Sequence, residues 1–559
     1  MRSLYSEFSR MRTPLASLFV ATAVLAGCGP AFVIEEATIA ELHDGMANGQ
    51  ITAETLVQHY LDRIAAYDKN GPSINSLITV SDLALERARE LDRMFAASGL
   101  VGPMHGIPIV VKDNYDTYDL PTTNGVLALK GAIPPDDAFH VARLREAGAI
   151  VLAKANMAEF ATSGAFSVSS VLPGFSRNPY DTRRVTAGSS GGTAAAVAAN
   201  LGTVGLGSDT GSSIRGPASH QSLVGLRTTM GLSSRDGIAP LNSARDVGGP
   251  MARTVEDAVR VLEIIAGYDE ADSVTARGNG LLPDGYQGFL RVDGLTGKRI
   301  GVLRRFFEVA DAEEDGPQPS PVEDEEDEED EETAEGEEEE REPSRVHPEV
   351  LGLLEQALVD MAASGATLVG DVDIPGLDSL RRAIPNIPRW EYDLNQYLAT
   401  RPELARGTMQ EILDSGDYHP WVAAGLRRAT EEELEGTPAE HEDWVAYLEA
   451  TANLQDAVLA AMDAVSLDVL VYPTYNYPAR LIGDLNTTYG ANSGTLSPPT
   501  GFPAFSVPMG YVGGTLPSGL QLLGRPFDEG TMIEIAYAYE QATMHRRPPE
   551  STPPIPRAR

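Results

Sequence analysis

The sequence predicts an α/β fold, a large single domain in which a mixed, mostly parallel central sheet is flanked by helices. Three observations support this prediction. The chain has 559 residues, of which 42% are hydrophobic, and that is enough for a large core. Short continuous apolar runs, such as residues 107–111, are typical of strands buried on both faces. Helical segments alternate with these runs, and the alternation indicates parallel pairing.

The individual elements follow from local patterns. Thr52 is a candidate N-cap, and apolar residues after it, through Ile64, share one helical face. The strand over residues 107–111 lies between Gly106 and a polar turn, which sets its two ends. Further helices are predicted over residues 81–95, 137–147, 193–199 and 531–543, and further strands over residues 149–152, 467–472 and 504–509.

Composition excludes several classes of function. The net charge of −38 is opposite in sign to that of a nucleic-acid-binding protein, so no nucleic-acid partner is expected. The only cysteine is Cys28, which excludes a disulfide framework and a cysteine-rich zinc site. The nine histidines include no pair at metal-ligand spacing, and the glycine-rich stretches lack the Gly-Lys-Ser/Thr ending of a phosphate-binding loop. We therefore expect no metal and no organic cofactor.

The first 27 residues are typical of a secretory signal peptide. Basic residues precede an apolar run over residues 15–26, which is too short to span a bilayer. The run ends at Leu25-Ala26-Gly27-Cys28, which resembles the lipobox of bacterial lipoproteins. The resemblance implies an exported lipoprotein of the bacterial cell envelope, tethered by acyl chains on Cys28 on the periplasmic side or at the outer membrane. The alternatives are a plain signal peptide and a buried first helix.

A second segment, residues 311–342, is predicted to lie outside the core. It contains twenty Asp or Glu residues and one Arg, and such a run neither buries apolar area nor tolerates its own repulsion when compact. We expect a disordered acidic insertion that interrupts one domain over residues 28–559. Cation binding is the alternative, although the segment lacks the glycine and ligand spacing of an EF-hand loop.

The residues suited to chemistry concentrate between Lys112 and Arg215. Two stretches, residues 186–193 and 205–217, are rich in glycine and serine. Glycine lets a backbone approach a ligand closely, and successive N–H groups in such a turn stabilise an anion. The serines offer nucleophilic hydroxyl groups, and a lysine at the end of a buried strand is a candidate base.

Together these stretches resemble the amidase signature family, and the layout is similar to its bacterial peptide amidases and small-amide amidases. The resemblance covers about residues 36–545, apart from the acidic insertion. It also includes residues 106–114, 249–255 and 519–524. It implies an amidohydrolase that cleaves the C–N bond of a linear amide.

The resemblance assigns roles residue by residue. It implies that Ser213 is the nucleophile, that Lys112 is the base, and that Ser189 bridges them through a cis peptide bond with Gly188. The oxyanion hole would consist of backbone N–H groups of Thr210, Gly211, Ser212 and Ser213, and supporting positions would be Ser190, Asp209, Arg215 and Asp246. The pocket would be lined by segments 390–397, 475–477 and 495–503.

Elementary chemistry agrees with a buried lysine as the base. A serine hydroxyl is a weak nucleophile until a base takes its proton. Lysine at its ordinary pKa of ~10.4 is almost always charged at neutral pH. Burial at the end of an apolar strand disfavours the ammonium form, so Lys112 would then accept a proton from Ser189, and Ser189 would accept one from Ser213.

One position departs from the family pattern. The family usually has glycine immediately before the nucleophile, and this sequence has Ser212 there. A side chain at that position would disfavour the backbone angles that glycine allows, narrow the acyl pocket, or supply a rival nucleophile. The backbone N–H donor itself is retained.

The expected activity is hydrolysis of a linear or C-terminal carboxamide, in a small molecule or a peptide, through an acyl-enzyme. The alternatives are a catalytically impaired amidase-fold binding protein at the cell surface, an esterase, and an enzyme like the fatty-acid amide hydrolases. Residues 188–192 also fit the Gly-x-Ser-x-Gly pattern of α/β-hydrolases, with Ser190 as nucleophile, but that motif must follow a strand directly and the preceding residues predict a loop. The sequence does not indicate an oligomeric state.

Overall fold

The computed structural model describes residues 32–162, 169–307, 346–432, 434–484, 486–487 and 490–555. The predicted signal peptide, Cys28 and the acidic insertion over residues 311–342 lie outside the described residues. Within the described residues, none of the helices is long and apolar enough to cross a membrane.

Helices and strands are numbered separately in chain order. The α-helices are α1 (Ile39–Ala47), α2 (Ala53–Tyr67), α3 (Ala84–Ser98), α4 (Phe139–Glu146), α5 (Gly191–Ala198), α6 (Arg215–His220), α7 (Val255–Ile265), α8 (Pro348–Ala363), α9 (Leu377–Arg382), α10 (Trp390–Ala399), α11 (Met409–Ser415), α12 (Ala423–Glu431), α13 (Trp444–Ala464), α14 (Ser497–Thr500) and α15 (Glu529–Thr543). The strands are β1 (Leu77–Val80), β2 (Pro108–Lys112), β3 (Ile150–Ala155), β4 (Ser169–Ser170), β5 (Gly174–Phe175), β6 (Val204–Asp209), β7 (Val224–Arg227), β8 (Val247–Ala252), β9 (Arg299–Val302), β10 (Thr367–Val369), β11 (Val469–Pro473), β12 (Ala504–Val512) and β13 (Leu516–Leu523).

One large sheet organises the described part of the chain. Its eleven strands lie in the order β1-β3-β2-β6-β8-β7-β12-β13-β11-β9-β10. Pairing is parallel in β3-β2-β6 and in β11-β9-β10, and antiparallel elsewhere. The predicted mixed α/β fold is confirmed. Parallel pairing is less extensive than predicted, because β8 pairs antiparallel with both β6 and β7, and β12 and β13 form an antiparallel hairpin in which Gly513 and Gly514 adopt the positive φ of a tight turn.

The nine helices and strands predicted from local patterns each match an observed element to within a few residues. Thr52 caps α2, and its hydroxyl accepts a hydrogen bond from the backbone N–H of Thr55 at 3.1 Å. The helix predicted over residues 193–199 is α5, which begins two residues earlier because Gly191 and Gly192 form its first turn. These glycines belong to the stretch over residues 186–193, here called the serine loop. Every residue of α5 is buried, so this helix packs on all sides.

A second apolar cluster lies beside the main core. Buried residues of α10, α11 and α12 pack there against loops from the first half of the chain. Its members are Val126, Ala128, Leu129, Phe160, Ala239, Leu394, Tyr397, Leu398, Met409, Ile412, Val422 and Leu426. The cluster reaches the serine loop through the segment after β3, where the backbone N–H of Ala158 donates to the carbonyl of Ser189 at 3.2 Å.

Candidate active site

Two adjacent strands and one helix start bring the predicted site together. Strands β2 and β6 pair in parallel, with Val111 opposite Leu206, so their carboxyl ends meet at one edge of the sheet. Lys112 ends β2, and Ser208 and Asp209 end β6. The loop with Ser189 leads directly into α5, and this places its hydroxyl over the same edge.

Lys112 is fully buried and in contact with the bridging serine. Its Nζ lies 2.7 Å from Ser189 Oγ and 2.8 Å from Ser208 Oγ, and it is 3.3 Å from the Ser208 carbonyl oxygen. Burial lowers the pKa of Lys112 from its usual 10.5 to about 7, although the charges of Asp209 and Asp246 oppose that shift. A large share of Lys112 is therefore neutral at physiological pH.

The Gly188–Ser189 peptide bond is cis, as the resemblance implied. Ser189 is fully buried, and Ser213 is 7% exposed. The backbone joins the two serine loops, because the Ser190 N–H donates to the Ser213 carbonyl at 3.3 Å. Within the described residues, no hydrogen bond joins the hydroxyl groups of Ser189 and Ser213, so the structure brings Lys112 and Ser189 into contact and holds Ser213 beside them.

The predicted oxyanion loop has donors available. In the described part of the chain, the backbone N–H groups of Gly211, Ser212 and Ser213 donate no hydrogen bond. Gly211 is exposed, and no atom lies within 4 Å of the place where a Cβ on it would be. These N–H groups are therefore available to a bound anion or carbonyl oxygen.

A buried ion cluster fixes that loop. Arg215 donates to both carboxylate oxygens of Asp209 at 3.1 Å, and Arg227 donates to Asp209 Oδ1 at 3.1 Å. Asp209 also accepts the backbone N–H of Ile214 at 3.0 Å. Burial alone would raise the pKa of Asp209, but attraction to Arg215 and Arg227 outweighs it and holds that pKa far below its usual range. A paired and hydrogen-bonded charge of this kind keeps the loop in one conformation.

The other predicted supporting residues also contact the site. The Thr210 hydroxyl donates to Asp246, whose other oxygen accepts the N–H groups of Leu241 and Asn242 at 2.9 Å. Burial raises the pKa of Asp246. The Ser190 hydroxyl donates to the Ser208 carbonyl at 3.1 Å, on the same oxygen that Lys112 contacts. Ser190 therefore braces the surroundings of the lysine.

Ser212 does not strain the backbone. It lies outside the residues with positive φ, so a side chain costs nothing there in backbone conformation. Its Oγ lies 3.5 Å from the Tyr475 hydroxyl, and the Tyr475 ring stacks on His220 with centroids 4.4 Å apart. The Ser212 side chain therefore lies against the side chain of Tyr475.

Comparison with known proteins finds relatives along nearly the whole chain. The family model described as Amidase matches residues 55–316 and 279–533. A probable amidase of Arabidopsis thaliana is 30% identical over 538 residues, which cover 93% of this chain and 92% of the relative. A glutamyl-tRNA(Gln) amidotransferase subunit of Thermosynechococcus vestitus is 33% identical, with 92% and 99% covered. The crystal structure of the peptide amidase of Stenotrophomonas maltophilia superposes with a TM-score of 0.77 at 33% identity, with 92% and 99% covered.

The chain belongs to the amidase signature family. It is accordingly an enzyme of a family that acts on the C–N bonds of amides. Among the described residues, no group of three or more His, Cys, Asp or Glu side chains is arranged to hold a metal ion.

Three residues of this amidase site carry contacts that sequence reasoning did not assign. They are Ser208 and Asn114 around the lysine, and Arg227 in the ion cluster. Asn114 and Ser208 lie inside stretches that carry the family resemblance, and Arg227 ends β7 beyond them. The available signal was a polar residue at the end of a buried strand, and the sequence gives no means of knowing which strand ends meet.

Each of the three segments expected to line the amidase pocket is connected to the site through a different contact. Tyr475 contacts Ser212. In the third segment, Ser497 Oγ accepts a hydrogen bond from Arg227 Nε at 3.0 Å. Trp390 packs edge-on against Phe160, with ring centroids 6.0 Å apart, two residues beyond the Ala158 contact with Ser189.

Proposed function

We propose that this amidase hydrolyses a linear or C-terminal carboxamide to a carboxylate and ammonia or an amine, through an acyl-enzyme on Ser213. The observation that carries the proposal is the buried contact of 2.7 Å between Lys112 Nζ and Ser189 Oγ. A lysine with a pKa of about 7, beside a hydroxyl, is suited to general-base catalysis near neutral pH.

The acylation step moves one proton along two hydroxyl groups. Neutral Lys112 accepts the proton of Ser189 while Ser189 accepts the proton of Ser213, and Ser213 Oγ bonds to the carbonyl carbon. When the tetrahedral intermediate collapses, its C–N bond breaks. The proton then returns from Lys112 through Ser189 to the departing nitrogen, which leaves as ammonia or an amine.

Deacylation repeats the relay with water. Ser189 takes a proton from the water molecule and passes one to Lys112, the water oxygen bonds to the acyl carbon, and the ester C–O bond breaks. Ser213 recovers its proton, and the carboxylic acid is released. In both steps the oxyanion would accept hydrogen bonds from the N–H groups of Thr210, Gly211, Ser212 and Ser213, each donor worth ~3 kcal/mol.

The substrate class is proposed from the relatives. The likeness to a peptide amidase, at a TM-score of 0.77 over nearly the whole of both chains, favours the carboxamide of a peptide or of a similar small molecule. Other relatives are named as glutamyl-tRNA(Gln) amidotransferase subunits, and the predicted export signal favours hydrolysis over that role. Ester cleavage is expected as a side activity, because an acyl-enzyme forms from either substrate.

A labelling experiment tests the proposal. The purified chain is treated with a fluorophosphonate probe, the labelled residue is mapped by mass spectrometry, and turnover is measured on peptide carboxamides, aliphatic amides and matched esters. We expect the label on Ser213, and loss of label and turnover in Ser213→Ala. Ser212→Ala is the matched control and retains the label. A label on Ser212 or Ser190, or a labelled enzyme that turns over none of these substrates, contradicts the proposal.

We also propose that the enzyme is an envelope lipoprotein anchored through Cys28. The support is the Leu-Ala-Gly-Cys sequence after a basic and apolar start. Mass spectrometry of the protein expressed in a Gram-negative host should find Cys28 at the N-terminus with acyl chains attached. Cys28→Ala should release the protein from the membrane fraction. An unprocessed or unacylated N-terminus would contradict the anchor and leave the catalytic proposal intact.

A further inference from the structure

The contacts of Lys112 match the bonding needs of a neutral amine. A neutral amine has two N–H bonds and one lone pair. To act as a base toward Ser189, Lys112 must aim the lone pair at Ser189 Oγ, so both N–H bonds need other acceptors. Ser208 offers two, its hydroxyl oxygen at 2.8 Å and its carbonyl oxygen at 3.3 Å from Nζ.

Asn114 determines how the Ser208 hydroxyl is used. The Asn114 amide group lies 3.2 Å from the Ala239 carbonyl, and because a carbonyl oxygen only accepts, the nitrogen Nδ2 must face it. The backbone locks the two residues together, since the Ala239 N–H donates to the Asn114 carbonyl at 2.8 Å. The second N–H of Nδ2 then donates to Ser208 Oγ at 3.0 Å.

The Ser208 hydroxyl oxygen has two lone pairs, and two donors surround it. One lone pair accepts from Asn114 and the other faces Lys112. Both side chains are buried, Ser208 at 4% exposed and Asn114 at 1%, so this arrangement has little freedom to change. Ser208 is the second-last residue of β6, and Asn114 lies two residues after the end of β2.

We propose that Ser208 and Asn114 are positioning residues that orient the lone pair of Lys112 toward Ser189. The hydroxyl and carbonyl oxygens of Ser208 accept the two hydrogen bonds that the neutral amine donates. Asn114 donates to the Ser208 hydroxyl oxygen and so keeps it oriented as an acceptor. When Lys112 receives the proton, the third N–H donates to Ser189, and neither neighbour has to move. The inference rests on the proposed function, in which Lys112 is the base.

The test compares Ser208→Ala with Ser208→Thr on the best carboxamide substrate. In Ser208→Ala we expect kcat to fall about 10- to 100-fold with KM unchanged, which is less than the loss of the base itself. The acid limb of the kcat/KM profile should move to lower pH, because the hydroxyl acceptor stabilises the ammonium form more than the amine. Asp209 and Asp246 are the charged groups that act on Lys112, and both remain. Ser208→Thr should restore both properties.

Two further variants keep the test decisive. If Ser208→Ala fails to fold, Asn114→Ala provides the test. It should lower kcat by a smaller factor than the one expected for Ser208→Ala, also with KM unchanged. Thr203→Val is the matched control, because Thr203 immediately precedes β6 at its other end and donates its hydroxyl to Tyr60 at 3.1 Å. It should leave kcat and the pH profile unchanged.

The outcomes separate this inference from the proposed function. If Lys112→Met is inactive but Ser208→Ala and Asn114→Ala keep the wild-type kcat and pH profile, the inference is wrong and the function stands. A rise of kcat in Ser208→Ala also overturns the inference. Such a rise would mean that the Ser208 hydroxyl donates its hydrogen bond to the lone pair of Lys112 and so competes with Ser189. If Lys112→Met keeps its activity, the proposed function itself is wrong.

Discussion

Two buried lysines on neighbouring strands of the same sheet have opposite surroundings. Lys112 ends β2 and Lys154 lies on β3, where it pairs with Val111, so the two side chains point to opposite faces of the sheet. Both are fully buried, and burial lowers the pKa of both. Lys154 forms an ion pair with Asp113 at 3.3 Å, whereas the atoms in contact with Lys112 are hydroxyl and carbonyl oxygens.

Burial is the same for both lysines, so the difference between them lies in their neighbours. Asp113 favours the ammonium form of Lys154, which also donates to the Tyr115 carbonyl at 2.7 Å and to the Thr122 hydroxyl at 2.6 Å. Lys154 thus ties the loop after β2 to the sheet. Among the described residues, Lys112 has no carboxylate in contact, and burial lowers its pKa to about 7, which suits the role of base in the proposed mechanism.

The largest effect is expected from removing the amine of Lys112. Lys112→Met should lower kcat/KM by about 10³-fold or more while the protein still folds, since Met has a similar length and no base. The combination with Ser189→Ala should fall little further, because residues that act as a unit are not additive. Steady-state kinetics and circular dichroism check this, and an active Lys112→Met enzyme would remove the contrast between the lysines.

The next effect concerns stability rather than catalysis. Lys154→Met leaves Asp113 buried without its cation, and breaking a buried pair in this way costs about 3–5 kcal/mol of unfolding free energy. Adding Asp113→Asn should recover part of the loss. Urea unfolding monitored by fluorescence measures both. A Lys154→Met protein of wild-type stability would show that the ion pair is not structural.

A pH series sharpens the comparison further. The unfolded Lys112 holds its proton up to pH 10.5, and the folded one loses it near pH 7, so between these values the unfolded state binds more protons. The contribution of Lys112 to stability therefore rises with pH in that window, by at most about 1.4 kcal/mol per unit, and is least favourable below pH 7. Lys112→Met should have a larger free energy of unfolding than wild type at pH 7, and this difference should shrink by pH 9.5. A difference that stays constant would contradict the lowered pKa of Lys112.

The smallest effect is expected where neither lysine is touched. Deleting residues 311–342 should leave kcat/KM and the unfolding midpoint unchanged, because the acidic composition predicts an insertion outside the core. The same kinetic and urea measurements apply. Loss of folding on deletion would show that the segment belongs to the domain, and the predicted boundaries would then be wrong.

Local patterns located many elements because their causes are local. The Thr52 cap, the buried run that became β2 and the small-residue helix α5 each depend on residues within one or two turns. The extent of parallel pairing was overestimated, because the insertion of β8 between β6 and β7, antiparallel to both, depends on strand order, which alternation does not specify.

Some residues of the site could also be identified from local motifs, and others only from the tertiary structure. The resemblance identified Lys112, Ser189 and Ser213 by their motifs, and the structure places the first two in contact. The resemblance did not identify Ser208 or Asn114 as partners of Lys112. Their contacts join residues 94 and 96 positions apart in the chain, and such contacts exist only once β2 and β6 are paired in register.

The sequence by itself determined the chemical groups, the α/β class, the family resemblance and the apolar strand that buries a lysine. Tertiary structure decided which of the two buried lysines lies beside a carboxylate and which lies beside a serine hydroxyl. Residue type and hydrophobic pattern are much alike at Lys112 and Lys154, but a pKa depends on the charges and dipoles within a few ångströms, and only the packing of distant segments brings those groups together.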